Sequence, residues 1–272
     1  MGSTELPVKK IYIDSKFRRP DSISSSNFKV DLPYTLKLPE STIFFVDDVC
    51  IRHSWRPVEE NMNNKIYLRL SSGGVHTDYI IILTAQNYNG SQLASELSSR
   101  INFHTINQPH SCVYNSQTQT ISLSFANFDC RIFTDDELLT LSNWTGTAYN
   151  SRNLTSANEL LNNTRTSSTG TTANPLEFYL SLQPVRNVYM RSPNLTSFTT
   201  IGPDGSSSIV KKVPVTSNYG EMIFSNITSG SDFLDCGRAT WRTLEFHLLD
   251  VNSNYIDLHG ANISFSLVLD KK

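Results

Sequence analysis

The chain has 272 residues, of which 38% are apolar, 10% aromatic and 18% charged, and its formal net charge is −2. A chain of this length buries roughly 70–75% of its unfolded surface, so a sizeable core is available. The near-neutral balance excludes a surface that steers as a whole towards nucleic acid or an anionic membrane.

The N-terminal residues MGSTELPVKK lack the apolar centre of a secretion signal, so none is expected. Next come Ile11, Tyr12 and Ile13, a short apolar strand. A basic, Pro- and Ser-rich tether follows (Lys16, Arg18, Arg19, Pro20), with Glu5, Asp14 and Asp21 interleaved. Such a strand satisfies its backbone groups either on its own sheet or on the edge of a neighbour. The charges suit a solvated tether better than a nucleic-acid arm, because the aromatic interleaving of a single-strand binder is missing.

From Phe28 the chain reads as strands. Phe28, Val30 and Leu32 alternate with polar residues, and Pro33 and Pro39 bracket a turn. In 42–55 the residues Ile43, Phe45, Val49 and Ile51 share one parity, and Asp47-Asp48 predicts a bulge or an exposed edge. Further strands are predicted at 65–70 and 78–83, joined by a hairpin turn at Ser72-Gly73-Gly74. Others follow at 120–125, 130–135, 176–183, 187–192, 221–227, 241–250 and 262–270. Leu176, Phe178, Leu180 and Leu182 alternate cleanly, as do Ile263, Phe265, Leu267 and Leu269, so one sheet face is buried and the other wet.

Helices are few. Asn89 with Gln92 forms a capping box ahead of Leu93, Leu97 and Ile101; Thr134 with Glu137 forms a second; Ser156 with Glu159 suggests a third. The polar stretch 143–175 reads as a long surface loop, and Pro203-Asp204-Gly205 as a turn. The expected architecture is all-β: a single jelly-roll sandwich with short helical insertions over residues 28–272, preceded by an N-terminal arm at 1–27.

Chemistry is hard to find. Neighbouring strand residues point to opposite faces, so Asp47 and Asp48 are not expected to share a cleft. Asp135, Asp136 and Glu137 fit a first helical turn, where the dipole favours carboxylates. His53, His76, His104, His110, His247 and His259 are scattered, with no His-x-His. Cys50, Cys112, Cys130 and Cys236 show no Cys-x-x-Cys, which reads as reduced, mostly buried thiols. The sequons Asn143-Trp144-Thr145 and Asn226-Ile227-Thr228 reflect Asn/Ser/Thr richness rather than glycosylation. No nucleophile elbow or phosphate loop appears. No catalytic, cofactor-binding or metal-ligating residue is nominated, and no apolar run of about 18 residues predicts a membrane span.

An ordered set of residues carries a family resemblance. It comprises Tyr12-Ile13-Asp14-Ser15 with Phe17-Arg18, Asn27-Phe28 with Asp31-Leu32-Pro33, Val46-Asp47-Asp48, His53-Ser54-Trp55 and Asn63-Asn64-Lys65. A second block runs from Tyr88-Asn89-Gly90 with Gln92-Leu93 to Phe133-Thr134-Asp135 with Leu138-Leu139. These resemble the penton, or minor capsid, proteins of Polinton/Maverick-type elements and adintoviruses. Arg56 and the Asn/Thr-rich segment after Trp144 depart from the pattern, and the second half of the chain fits only as strands with polar loops.

The resemblance implies a non-catalytic single jelly roll in the virion. Its copies would gather as homopentamers at icosahedral vertices beside a double-jelly-roll major capsid protein. It also implies an assembly arm with Tyr12, Asp14, Phe17, Arg18 and Arg19 as candidate residues, and deletion of 1–27 is expected to leave a folded domain that assembles poorly. The competing reading is a jelly-roll binding module for a carbohydrate or receptor, with Trp144 or Tyr149 stacking on a sugar. Packing of Trp144 against the helix that starts near Asp135 is the alternative for that residue.

Overall fold

A computed structural model describes residues 6, 8–106, 108–141, 144–145, 149, 154–163, 169–195, 200–203, 205, 207–226 and 232–271. Asn143, Asp204, Ile227 and Thr228 lie outside this set, so the two sequons and the Pro-Asp-Gly turn are not fully described, nor is all of 143–175. The chain divides into two compact units: residues 1–55 with 185–272, and residues 56–184.

The first unit opens with β1 (Lys10–Asp14), a 3-10 turn at Ser15–Phe17, β2 (Asn27–Lys37) and β3 (Thr42–Arg52). In β2 the alternation works as expected, burying Phe28, Val30 and Leu32. Pro33 is tolerated because this stretch leaves the ladder between Asp31 and Leu36.

The second unit contains β4 (Lys65–Ser72), β5 (Val75–Ile82), α1 (Gly90–His104), β6 (His110–Asn115), β7 (Thr120–Phe125) and β8 (Asp129–Ile132). It continues with α2 (Asp135–Thr140), the two-residue β9 (Thr169–Gly170) and β10 (Leu176–Tyr179). Both expected capping boxes form, at Asn89/Gln92 and Thr134/Glu137. The third does not. Ser156 donates instead to Asp135, and residues 158–162 make turns. Between β4 and β5, Gly73 and Gly74 both take positive φ (58° and 81°), as a tight two-residue hairpin requires. The sheets are ordered β5-β4-β8-β9 and β10-β7-β6. Leu93, Leu97 and Ile101 of α1 join Leu68, Ile81, Leu123 and Phe178 in one core.

The chain returns to the first unit with β11 (Asn187–Arg191), β12 (Ile209–Pro214), β13 (Met222–Ser225), the short β14 (Leu234–Asp235), β15 (Thr240–Leu249) and β16 (Ile263–Lys271). One sheet runs β1-β16-β3-β13, with β14 also pairing β3; the other runs β12-β11-β15-β2. Every pairing in both sheets is antiparallel. This is a jelly roll: a five-stranded sheet, counting the two-residue β14, faces a four-stranded one, with the first strand beside the last. Phe44 meets Trp241 across the sandwich, ring centroids 5.7 Å apart, and Phe246 meets Phe265 at 4.9 Å. Trp55 is 4% exposed and lies in the same core.

The expectation from the sequence is an arm at 1–27 before one domain at 28–272. In the structure β1 lies on its own sheet, paired with β16 from Lys10↔Val268 to Asp14↔Ser264. Residues 56–184 form their own core. Among the described residues no helix is long and apolar enough to cross a membrane.

All four cysteines are free. Burial pushes the Cys130 thiol up to about 11 and the Cys236 thiol up to about 12. The thiolate is the nucleophile. Both residues should therefore resist a thiol reagent at pH 8 until denaturant unfolds the chain. Rapid labelling of either in the folded protein, read by mass spectrometry, would contradict their burial.

Candidate assembly surfaces

The candidate arm residues lie on or beside β1. Ile13 points into the sandwich, so Tyr12 points out and is 78% exposed. Asp14 caps the 3-10 turn, its carboxylate accepting from the Lys16 backbone N–H at 2.8 Å. Phe17 is 76% exposed, and the Arg18 guanidinium donates to Ser15 O at 3.0 Å. Arg19 folds back, donating to Asp21 at 2.9 Å and to both oxygens of Asp31 at 3.2 Å. Asp31 also accepts from Thr243 Oγ1 at 2.6 Å. That hydrogen bond and Arg19 hold its carboxyl below the ordinary aspartate range. The basic tether is thus knitted to the sandwich through Asp31 and through the Arg19 backbone N–H, which donates to Lys29 O at 2.8 Å.

Asp47 and Asp48 sit at a bulge, where the register of β3 against β16 shifts between Ser264 and Ser266 and Asp48 takes φ 50°. The expectation that they face opposite ways is overturned. The extra residue turns both carboxylates to the outer side, where Lys10 Nζ lies 2.6 Å from Asp48 and 3.5 Å from Asp47. Ser266 Oγ donates to Asp48 at 3.3 Å. The Lys10 hydrogen bond lowers the Asp48 pKa, and the same bond raises that of Lys10.

Trp144 is 1% exposed. It packs on Phe133 at 4.6 Å and Tyr67 at 6.1 Å, with the Arg69 guanidinium 5.3 Å from its ring. It is not free to stack on a sugar; the packing alternative holds. Tyr149 rests on Tyr67, centroids 5.1 Å apart. The acids at 135–137 start α2 as expected, Glu137 accepting from Thr134 N at 2.9 Å and from Arg131 at 2.6 Å. The histidines keep separate company. His53 Nδ1 lies 2.8 Å from Ser217 O, His110 Nε2 3.0 Å from Ser98 Oγ, and His247 Nε2 3.0 Å from Glu245 Oε1. Among the described residues no three or more His, Cys, Asp or Glu are placed to hold a metal ion.

Two concavities are built from secondary structure. An apolar one of about 190 Å³ lies between β1 and β2, lined by Val8, Ile11, Leu32, Pro33, Tyr34 and Leu36. A shallow, hydroxyl-lined one of about 600 Å³ runs along α1 and β6, past Ser91, Ser95, Ser98 and Tyr114.

A further surface, not expected from the sequence, is the outer face of the β1-β16-β3-β13 sheet. Phe224 is 70% exposed there, Met222 is also exposed, and Phe45 and Val268 are half-buried. The signal was present. TIFFVDD and EMIFS are apolar at both parities, which a strand wet on one side does not need.

No family model matches the sequence, and no curated protein matches it. Among solved structures the chain is similar to the selenomethionine-labelled mavirus penton protein. The TM-score is 0.52 and the identity 8%, covering 97% of this chain and 100% of that one. At this identity the likeness shows the fold.

Proposed function

We propose that this chain is a structural subunit of a viral capsid. On this reading it is the penton, or minor capsid protein, of a Polinton/Maverick- or adintovirus-type particle. The supporting observation is the likeness to the mavirus penton protein, which spans 97% of the chain and so takes in both units rather than the jelly roll alone. The work of such a subunit is geometric. Each copy offers one surface to the copy before it and another to the copy after it, and five such heterologous contacts close a ring. The ring would fill an icosahedral vertex beside a double-jelly-roll major capsid protein, with no substrate turned over.

Light scattering should find a species of five times the 30.6 kDa chain mass, growing with concentration, and negative-stain images should show five-fold rings. A protein that stays a monomer up to high micromolar concentration and forms no rings would end this reading.

A further inference from the structure

We infer that the two outer sheet faces of the sandwich are the two halves of one contact between copies, the acidic, aromatic face of β1-β16-β3-β13 lying on the basic face of β12-β11-β15-β2 of the next copy. This rests on the reading of the chain as a ring-forming subunit and names the surfaces that would close the ring.

The first face is built by strand parity. With Ile13, Phe265 and Ile223 pointing into the core, Tyr12 and Phe224 point out, 78% and 70% exposed. An exposed tyrosine and phenylalanine on one sheet face form the kind of rigid anchor that interfaces bury. The charges around them are acidic on balance, with Asp47, Asp48 and Asp270 set against Lys10 and Arg52. Asp47 and Asp48 share the single ammonium of Lys10, which leaves a surplus carboxylate at the middle of the sheet. Asp270 is exposed towards one end of β16.

The second face has the opposite sign. In β12, Lys212 is exposed beside Tyr189 of β11; in β15, Arg242 is exposed next to Thr243. Arg191 of β11 lies level with His247, and its Nε is buried without an acceptor. Asp31 and Glu245 are the acids here, and both already serve neighbours: Asp31 accepts from Arg19 and Thr243, Glu245 from His247. Lys29, Lys212, Arg191 and Arg242 outnumber these two acids, so among the described residues the face carries a surplus of positive charge.

Three physical consequences select a second copy as the occupant. The outer faces of a sandwich are back to back, so one copy can use both at once. Opposite charges draw unlike faces together, while like faces repel. A contact between unlike faces is heterologous and propagates or closes into a ring, whereas like-with-like contact would stop at a two-fold dimer.

The test is a charge swap in the full chain, read as association by sedimentation and light scattering, with circular dichroism melts to show that each variant is folded. Lys212→Glu with Arg242→Glu makes the basic face acidic; Asp47→Lys with Asp270→Lys makes the acidic face basic. Each pair alone should weaken association by about 10-fold or more, and all four together should restore it to within about 3-fold of the wild type. Phe224→Ser, at an exposed position, should weaken it by about 30-fold and provides a reading of the first face that needs no charge reversal. Single-face variants and Phe224→Ser that associate like the wild type would overturn the inference and leave the capsid reading standing. So would a folded four-fold variant that fails to recover. A wild-type chain that never associates would overturn both.

Discussion

Trp241→Ala should lower the stability of the sandwich unit by about 3–5 kcal/mol, the range for deleting a buried tryptophan. Trp241 is 3% exposed. It crosses the sandwich to Phe44 in an edge-on contact, centroids 5.7 Å apart and planes at 87°. It also pairs with Leu36 beside the register shift between β15 and β2. The bulge and the indole hold each other in place, so neighbours cannot simply slide in to fill the hole. Part of the loss, about 0.5–1.5 kcal/mol, is the aromatic pair itself. Small domains are stable by only about 5–15 kcal/mol in total, so the variant should unfold at clearly lower denaturant. The remaining two tryptophans separate the units: Trp55 reports the sandwich, and Trp144 reports the second unit through its cluster with Tyr67, Phe133 and Leu138. A shift in the Trp55 transition with the Trp144 signal unmoved is the expected pattern. A loss below about 1 kcal/mol would mean that the indole is not part of the core.

Local chemistry was the legible part of this sequence. The capping boxes at Asn89 and Thr134 depend on side chains three residues apart, and both form. The alternation of β10 and β16 needs only the pleat, and both strands bury the expected parity. What failed depended on distant partners. β6 and β12 were missed because HSCVYN is weakly apolar and IVKKVP carries two lysines and a proline; both exist through pairing with β7 and β11. In β3 the bulge was foreseen but not its effect. Past Asp48 the parity flips, so Val49 and Ile51 point inwards with Phe44 and Val46, while Ile43 and Phe45 turn out. That flip helps make the outer face both aromatic and acidic, so the surface argued above to bind a second copy could not be read from alternation alone.

Removing residues 1–14 should destabilise the sandwich, contrary to the expectation that deletion of residues 1–27 leaves the domain folded and weakens only its assembly. The partner of β1 is β16, at the other end of the chain, and no local pattern could announce that pairing. Ile13 is 4% exposed, and loss of a buried isoleucine alone costs about 2–5 kcal/mol. The five-residue ladder goes with it, although backbone entropy of about 1–2 kcal/mol per freed residue offsets much of that second loss. The larger consequence is exposure. β16 would become an edge nine residues long, rich in Leu, Ile, Phe and Val, and such an edge recruits other chains. The truncated protein should therefore show both a lower unfolding midpoint and disordered, concentration-dependent aggregation rather than clean rings. A synthetic peptide of residues 8–14 should reverse both effects by adding back to β16, because the ladder supplies affinity and Ile13 sets the register. A truncated chain that is as stable and as monodisperse as the full one, and that ignores the peptide, would place β1 off its own sheet and return it to the role of an arm.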